Sequence, residues 1–396
     1  MRDGTVNELP VDPCPAVTAC PTAPAGYARG DGPRAIDRCA FPLTDGATWA
    51  DRGAIVDAFP AAMRRTLADV TTDLNRAATT VTQVPGDPPG LTHAFAWQSG
   101  DEGVTYWIPQ GLTGSFDGHD DGLVAGRKLV LVSWYYERAN EPDSPAEKGV
   151  RIAIADVTNP SAIAYRFALL VEPVMRDGRP DFAPVVIHAG GLAWVGDLLY
   201  VPVTGSGFRV FDLSRMLRVD GTDDLLGYDT ASGIYHAHGY QYAIPQIGAY
   251  SDAGTCQAVF SYVALDRSSS PPSLISGEYS ATAITGRIFR WPLDPATSRL
   301  QLTDQARVIG DGAWVSGDSH VQGGLAHDDT FWMSSSYPAG GAGALYRARV
   351  DQPSTSLGWI DAPEDLAYDP QDDLVWSLSE AIDARYVIAV RRDAID

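Results

Sequence analysis

One short pattern recurs along this chain and restricts the folds that the chain can adopt. A polar or acidic side chain comes first, a glycine or another small or polar residue follows, and an apolar run then begins. The pattern reads PQGLT at 109–113, HAGGLAW at 188–194, HVQGGLA at 320–326 and EDLA at 364–367. Self-similarity at a long, regular period is typical of architectures that repeat one structural unit. The chain is therefore expected to fold as a set of similar units.

Five sets of short apolar runs follow one another from about residue 92 to the C-terminus, at roughly 60 residues per set. Turn sequences such as VGD, TGSG and DPQDD separate the runs. Each set resembles one four-stranded antiparallel blade. The last set lacks a fourth strand, and THAFAWQ at 92–98 can supply it from the N-terminal side. Such a closure would remove an exposed sheet edge.

The third set is the least regular of the five. YAIPQIG at 242–248 matches YWIPQG at 106–111, and each segment precedes a proposed blade start. QAVFSYVALD, SLISGEYS, GRIFRWPLD and ARVIG would then form the third blade. Six or seven shorter blades remain an alternative, because the interval between Leu112 and Leu192 has room for another, and a pair of packed sheets is a third. The sequence favours an all-β fold, a five-bladed β-propeller over residues 92–396.

Residues 1–91 form a separate region in this interpretation. Residues 1 to about 50 are rich in Pro, Gly, Ala and Asp and predict an extended arm. An amphipathic helix is predicted over 60–81, packed on the propeller, because the segment follows a proline suited to a first helical turn and then has apolar residues at helical spacing. Those residues are Met63, Leu67, Val70, Leu74 and Val81.

The four cysteines indicate disulfides and an oxidising compartment, since their number is even and three lie in the arm. Of the three possible pairings, we favour Cys14 with Cys20 and Cys39 with Cys256, which would tie the arm to the body. The segment MRDGTVNELP has no apolar stretch of a signal peptide, as expected of a mature secreted chain with an added Met or of a cytoplasmic protein. A secreted protein is the expectation.

The formal net charge of −21 restricts the partners of the chain. A strongly acidic protein repels phosphate backbones and anionic lipid surfaces, so neither nucleic acid nor a membrane is expected as a partner. No apolar run reaches the roughly 18 residues that a transmembrane helix needs. The expected partner is a small molecule, a glycan or a peptide, bound by a monomer.

In a propeller, the first strand of each blade lines the central channel, and its polar first residue lies at the channel mouth. Glycines behind that residue allow the inner strands to crowd together. Superposing the repeats brings together the side chains of Gln110, His188, His320 and Glu364, with Gln246 or Gln257 from the third set. Neighbouring positions and the ends of the second strands add Trp134, Tyr135, Tyr136, Glu278, Tyr279, Gln322 and Tyr337. This set predicts a small polar ligand bound among aromatic side chains.

The chemistry predicted for this ring is acid–base catalysis or metal binding. The sequence contains no GxSxG elbow, HExxH helix, P-loop or complete GxGxxG motif. His188, His320 and Glu364 are therefore the predicted catalytic residues, by analogy with other His and Glu acid–base catalysts. A divalent metal ion, calcium or zinc, is the candidate cofactor, and its candidate ligands are His188, His320, His236 and His238. Alternatively, these polar residues only bind the backbone of the next blade or lie in solvated loops.

The blade repeats over 92–396 resemble the five-bladed propellers shared by arabinanase-type glycosidases, apyrases and tachylectin-type lectins. With 27 Arg and 2 Lys, the chain also resembles secreted actinobacterial propellers without an assigned function. No catalytic motif of a named enzyme family is matched, and fold alone does not determine function. The five blade starts carry Gln, His, Gln, His and Glu, which favours one central site. A hydrolase, lyase or cyclase is the first hypothesis, and a lectin-like binding protein is the alternative.

Overall fold

The computed structural model describes residues 9–46, 48–144, 146–336 and 342–396. These residues form mostly strands, and the strands are arranged in four-stranded antiparallel sheets that follow one another along the chain. The outer strands of the first two sheets also pair in parallel, Leu169–Val171 with Ala243–Pro245. The first sheet contains Trp107–Gly114, Leu129–Tyr136, Val150–Asp156 and Ala164–Arg176. The second contains Ala193–Val195, Leu198–Val203, Gly207–Asp212 and Tyr242–Asp252. The third contains Tyr262–Asp266, Ser273–Gly277, Arg287–Asp294 and Gly312–Val315.

The fourth and fifth sheets complete the series. The fourth contains Val321–His327, Thr330–Ser335, Ala342–Arg349 and Thr355–Asp361. The fifth contains Pro363–Asp369, Leu374–Ser379, Tyr386–Arg391 and Leu91–Ala96. Its last strand comes from the N-terminal side and pairs antiparallel with Tyr386–Arg391. The predicted closure by THAFAWQ is confirmed.

The first strand of each sheet, here called the inner strand, contacts the inner strands of its neighbours through glycine. A Cβ atom on Gly111 would lie 2.5 Å from the carbonyl carbon of Gly191. One on Gly191 would lie 2.3 Å from the Val263 nitrogen, and one on Gly323 would lie 2.5 Å from the Asp365 Cα. Such distances exclude any side chain, so these glycines are needed for close approach of the backbones.

Asp365 connects the last sheet back to the first two. Its buried Oδ2 accepts hydrogen bonds from the backbone N–H of Leu112, at 2.9 Å, and of Leu192, at 3.0 Å. The inner strands therefore contact one another in a closed circuit, from the first sheet to the fifth and back. The all-β, propeller-like fold predicted from the sequence is confirmed.

The hydrophobic core lies between neighbouring sheets, in a series of interfaces. Buried apolar side chains fill each interface, as expected for sheets packed face to face. Two members of each cluster, one from either sheet and in order from the first–second interface to the fifth–first, are Ile152 and Trp194, Phe208 and Trp291, Ile288 and Met333, Trp332 and Ile388, and Trp376 and Trp134.

The prediction for the third sheet was confirmed for three strands, which lie within QAVFSYVALD, SLISGEYS and GRIFRWPLD, and was wrong for the fourth. The segment YAIPQIG begins the outer strand of the second sheet, Tyr242–Asp252, directly ahead of the third sheet, whereas YWIPQG belongs to the inner strand of the first sheet. Both IPQ segments lie beside irregularities in strand register, where proline's missing N–H is tolerated, so their similarity reflects a shared local geometry. Arg307–Val308, within ARVIG, pairs with the arm strand Leu43–Asp45, and Gly312–Val315 is the fourth strand instead.

The prediction of a single helix over 60–81 was also wrong. The arm contains an earlier helix at Trp49–Ala58, a 3-10 turn at Ala61–Met63 and a short helix at Leu67–Thr71. A capping box between Thr66 and Asp69 starts that short helix, which interrupts any longer one. Beyond it, the β-branched segment pairs with sheet edges: Arg76–Ala77 with the first sheet and Thr79–Thr80 with the fifth.

The disulfide pairing differs from the favoured one. Cys14 is bonded to Cys39 and Cys20 to Cys256, with Cα atoms 5.3 and 5.4 Å apart. The arm extends along the third sheet rather than folding back locally, because Asp12 accepts a hydrogen bond of 2.8 Å from Arg307. The second disulfide nevertheless ties the arm to the body, as predicted.

The remaining elements are short. The other strands are Arg34–Ala35, Arg64–Arg65, Arg179–Pro184, Met216–Arg218, Leu226–Asp229, Ile234–Ala237 and Arg299–Leu300. The other helical turns are Arg38–Ala40, Ser99–Glu102, Ser115–Gly118, Arg138–Asn140, Leu213–Arg215 and Arg392–Ala394. Within the described ranges, none of the helices is both long and apolar enough to cross a membrane.

Candidate functional site

A cavity of about 390 Å³ opens where the five inner strands begin. Each inner strand, or the residue leading into it, contributes to the wall. The contributing residues, from the first sheet to the fifth, are Gln110, Gly190, Ser261, Gln322 and Glu364, and the wall is completed by His188, Thr204, Val259 and Tyr279. The volume lies within the range of small-molecule sites. We call this space the channel-mouth cavity.

His188 reaches the cavity through a tight backbone turn. Ala189 adopts a left-handed conformation with φ of +56°, and the next residue, Gly190, passes against the Ser261 carbonyl oxygen. The imidazole packs against the Tyr135 ring, with centroids 4.5 Å apart. Although His188 remains accessible to solvent, the surrounding protein desolvates the ring and lowers its pKa. The neutral imidazole is therefore favoured.

Glu364 contributes a carboxyl group to the cavity wall, and only 1% of the residue is exposed. Its Oε1 accepts a hydrogen bond of 3.1 Å from the Gln322 side-chain amide. Burial raises the pKa of Glu364 well above its ordinary value, and the charges of Glu380 and Asp365 raise it further. The protonated, uncharged acid is therefore favoured.

Glu380 is a second carboxyl group at this end of the channel. Its Oε2 accepts a hydrogen bond of 2.7 Å from the Gln110 side chain. Burial raises the pKa of Glu380, whereas the Gln110 hydrogen bond and the charge of Arg385 oppose this shift. Glu380 directly follows the second strand of the fifth sheet, Leu374–Ser379, and this place at the end of a second strand is the sequence signal for it.

Two tyrosines contribute uncharged hydroxyl groups to the surroundings. Burial, followed by the charge of Glu380, raises the pKa of Tyr135 to about 12. Burial and the charge of Glu364 raise the pKa of Tyr279, which lines the cavity. Both side chains stay protonated at neutral pH and present hydrogen-bond donors beside an apolar ring face.

His320 does not line the described cavity. HVQGGLA has one more residue before its glycines than HAGGLAW, so Gln322 occupies the wall and His320 lies farther out. His320 has a left-handed backbone with φ of +59°, and its ring lies 6.0 Å from that of Tyr279. The structure thus brings His188 and Glu364 to one cavity, with His320 adjacent to it.

Two predicted aromatic residues lie in the core. Trp134 is fully buried, and the Arg151 guanidinium carbon lies 4.9 Å from its ring centroid. Tyr136 packs on Trp107, with ring centroids 5.2 Å apart. Strand alternation explains this, because both neighbours of Tyr135 point to the opposite face of the sheet. Tyr337 lies outside the described residues.

Three predicted polar residues have other partners. Gln246 is in the second sheet's outer strand, where its side chain donates to the Gly248 carbonyl. Gln257 is exposed and donates to the Gly205 carbonyl at 3.0 Å. Glu278 forms an ion pair with Arg287. Ser261, which directly precedes the inner strand of the third sheet, takes the position expected for one of the two glutamines.

The predicted metal ligands do not converge. His236 and His238 belong to a hairpin remote from the cavity wall, where His238 Nδ1 lies 2.8 Å from Asp224. Within the described part of the chain, no three His, Cys, Asp or Glu side chains are grouped as metal ligands would be. The residues present therefore do not fit a calcium or zinc site, which needs more ligands than His188 and Glu364 supply.

Comparisons with known proteins found similarity to solved structures alone. No protein-family model matches the chain, and no curated protein sequence matches it. A GH43_1 enzyme from Xanthomonas citri is similar over 74% of this chain and 90% of its own, at 10% identity and a TM-score of 0.32. The Cps50 (Swd1) β-propeller domain from Myceliophteria thermophila is similar over 76% and 99%, at 10% identity and a TM-score of 0.33.

A third similar structure is the pyranose dehydrogenase PQQ domain from Coprinopsis cinerea. The match covers 97% of this chain and 100% of that domain, at 10% identity and a TM-score of 0.33. At these values, the activities of the three proteins carry no argument about this one.

Proposed function

We propose that the channel-mouth cavity is the active site of a hydrolase or lyase that acts on an uncharged polar molecule, such as one or two sugar units of a glycan. The observation that carries this proposal is that His188 and Glu364 face the same cavity, each favouring its uncharged form. A neutral imidazole is a general base, and a protonated carboxyl is a general acid.

In this mechanism, His188 takes a proton from an attacking water or from a carbon-bound hydrogen. Glu364 gives a proton to the oxygen of the leaving group. Gln322 holds the Glu364 carboxyl by its hydrogen bond of 3.1 Å. The size of the cavity, about 390 Å³, suits a small ligand, and the aromatic face of Tyr279 suits a sugar ring.

The lectin-like alternative predicts binding in the same cavity without turnover. The cavity is asymmetric, since its five inner-strand positions carry Gln, Gly, Ser, Gln and Glu. A binding protein with one site per blade would repeat them. This asymmetry supports a single central site.

We also propose that the protein is secreted and works as a monomer. Two disulfides tie the arm to itself and to the body, as is common outside the cell. All five inner strands of a single chain contribute to the cavity, so the site is complete without a second copy. Light scattering coupled to size exclusion measures the mass in solution, and a dimer that loses ligand binding on dilution would contradict the monomer.

Ligand-observed NMR tests the active site with a panel of neutral mono- and disaccharides and their aryl glycosides. The wild type is compared with Glu364→Gln, which keeps an acceptor for Gln322. The control is Glu172→Gln, because Glu172 lies in the first sheet, where it forms an ion pair with Arg52 of the arm. We expect turnover by the wild type and the control and loss of about 10²–10⁴ in rate in Glu364→Gln. Binding without turnover would favour the lectin-like alternative, and no binding by the wild type would contradict the cavity as the site.

A further inference from the structure

A second cleft lies at the outer edge of the first sheet, with none of its lining residues in the channel-mouth cavity. Its volume is about 1120 Å³. One wall comes from the arm, around Met63 and Arg76, and the floor comes from the first sheet's outer strand at Arg166. The opposite wall comes from Arg179 and from the hairpin that contains Tyr228. We call this space the arginine cleft.

The charges of the arginine cleft oppose those of the whole protein. Its lining includes four arginines and one acidic residue, whereas the chain carries a net charge of −21. The four arginines are Arg76, Arg166, Arg179 and Arg218. An arginine cluster retained in an acidic protein indicates a local role for positive charge.

Two of these arginines have internal carboxylate partners and two do not. Arg76 lies 3.1 Å from Asp101, and Arg166 lies 3.3 Å from Asp73. Among the described residues, no carboxylate forms an ion pair with Arg179 or Arg218. The Arg179 guanidinium instead lies over the Tyr228 ring, 4.2 Å from its centroid. A stacked arginine keeps its N–H edge available to an acceptor.

Arg166 supplies an independent indication of a missing ligand. The residue is 7% exposed and lines the cleft, yet its buried Nε–H has no hydrogen-bond partner among the described residues. Buried polar groups are nearly always hydrogen-bonded in folded proteins. An acceptor brought by a ligand would satisfy this group.

We infer that the arginine cleft binds an acidic oligosaccharide, a short sugar chain that carries carboxylate or sulfate groups. Guanidinium groups recognise planar oxyanions through paired hydrogen bonds. The rings of Tyr235 and Tyr240 also line the cleft, and aromatic rings suit contacts with sugar rings. A volume of about 1120 Å³ exceeds what a single inorganic anion requires and suits several linked sugar units.

Titration calorimetry tests this inference with three oligosaccharides of similar length at low and high salt: trigalacturonate, a sulfated galacto-oligosaccharide and neutral maltotriose. The wild type should bind at least one acidic probe and not maltotriose, with affinity falling at high salt. Arg179→Gln and Arg218→Gln should each weaken that binding by about tenfold to a hundredfold. Arg391→Gln is the matched control, since its exposed arginine lies outside the cleft.

The outcomes distinguish this site from the channel-mouth cavity. Glu364→Gln should bind the acidic probe as tightly as the wild type, because Glu364 does not line the arginine cleft. Equal binding of maltotriose, no binding of either acidic probe, or an equal loss in Arg391→Gln would overturn the inference. Preference for the carboxylated or the sulfated probe supports it and identifies the acidic group.

Discussion

Glu364 and Glu380 interact at the channel mouth: the charge of Glu380 adds to burial in raising the pKa of Glu364. The two carboxyl groups are held by different amides, Gln322 on one and Gln110 on the other. Both glutamines come from inner strands, so the packing of the sheets fixes both carboxyl groups. The proposed acid is therefore tuned by a neighbour that does not itself line the cavity.

Replacing Glu380 by Gln should shift the high-pH limit of activity to lower pH. Glu364 acts as an acid only while protonated, so activity falls as pH rises through its pKa. Removing the negative charge of Glu380 lowers that pKa, because a like charge disfavours ionisation. The measurement is the pH profile of kcat/KM. Glu172→Gln should leave the profile unchanged, and an unshifted limit in Glu380→Gln would show that the two groups are not coupled.

His188 should determine the low-pH limit of activity. A general base must be deprotonated, and the pKa of His188 lies below its ordinary value of 6.5. Activity should therefore rise as pH increases through that lowered pKa. His188→Gln should reduce turnover by about 10²–10⁴ and remove this limit. The melting temperature should change little, since the side chain is exposed to the cavity; a large drop with unchanged turnover would instead indicate a structural role.

The repeated strand starts allowed the fold to be predicted because glycine has a physical function at each of them. Gly111, Gly191 and Gly323 all meet a neighbouring backbone where no Cβ fits. Because that requirement applies at single positions, it is visible in the sequence as a glycine at each strand start. The prediction for Gln110, Gln322 and Glu364 followed directly, since each lies beside such a close contact.

The parts that could not be predicted depend on long-range pairing. The apolar spacing over 60–81 is compatible with a helix, but Arg76–Ala77 and Thr79–Thr80 pair as short strands with the edges of the first and fifth sheets. The positions of four cysteines in the sequence do not reveal the path of the arm. One contact that holds the arm in place, between Asp12 and Arg307, joins residues 295 positions apart. The displacement of His320 follows from one additional residue, whose effect depends on how that strand bulges.

The stability of the fold should depend on the ionisation of Asp117. Burial raises the pKa of this carboxyl to about 7, although Thr113 donates a hydrogen bond of 2.7 Å to it. The folded protein therefore holds a proton that the unfolded chain releases near its ordinary value of 3.8. The stabilisation is present below that value and is lost as pH rises toward 7, by up to roughly 4 kcal/mol.

Urea unfolding between pH 4 and 8 measures this effect. The free energy of unfolding of the wild type should fall relative to that of Asp117→Asn as pH rises. Asp177→Asn is the control, since Asp177 is exposed in the turn that follows the outer strand of the first sheet. A constant difference between the wild type and Asp117→Asn across the range would contradict the raised pKa.

The arm should detach from the third sheet when its long-range disulfide is removed. Replacing Cys20 and Cys256 together by Ser removes a link that spans 236 residues, whereas Cys14–Cys39 spans 25. We expect a loss of about 2–5 kcal/mol in stability. Proteolysis should also cut the arm faster. Peptide mapping without reductant should recover both pairs, and finding Cys14 joined to Cys20 would contradict the structure.

The last prediction concerns the carboxylate that links three inner strands. Asp365 is fully buried, and one oxygen accepts both the Leu112 and the Leu192 backbone N–H groups. Asp365→Ala would leave these two buried donors without an acceptor, at about 1–3 kcal/mol each. Asp365→Asn keeps a carbonyl oxygen that can accept both bonds, so it should lose much less. Urea unfolding of both variants measures the difference, and Asp372→Ala, at an exposed position, is the control. Equal stability of Asp365→Ala and Asp365→Asn would show that these hydrogen bonds do not hold the inner strands together.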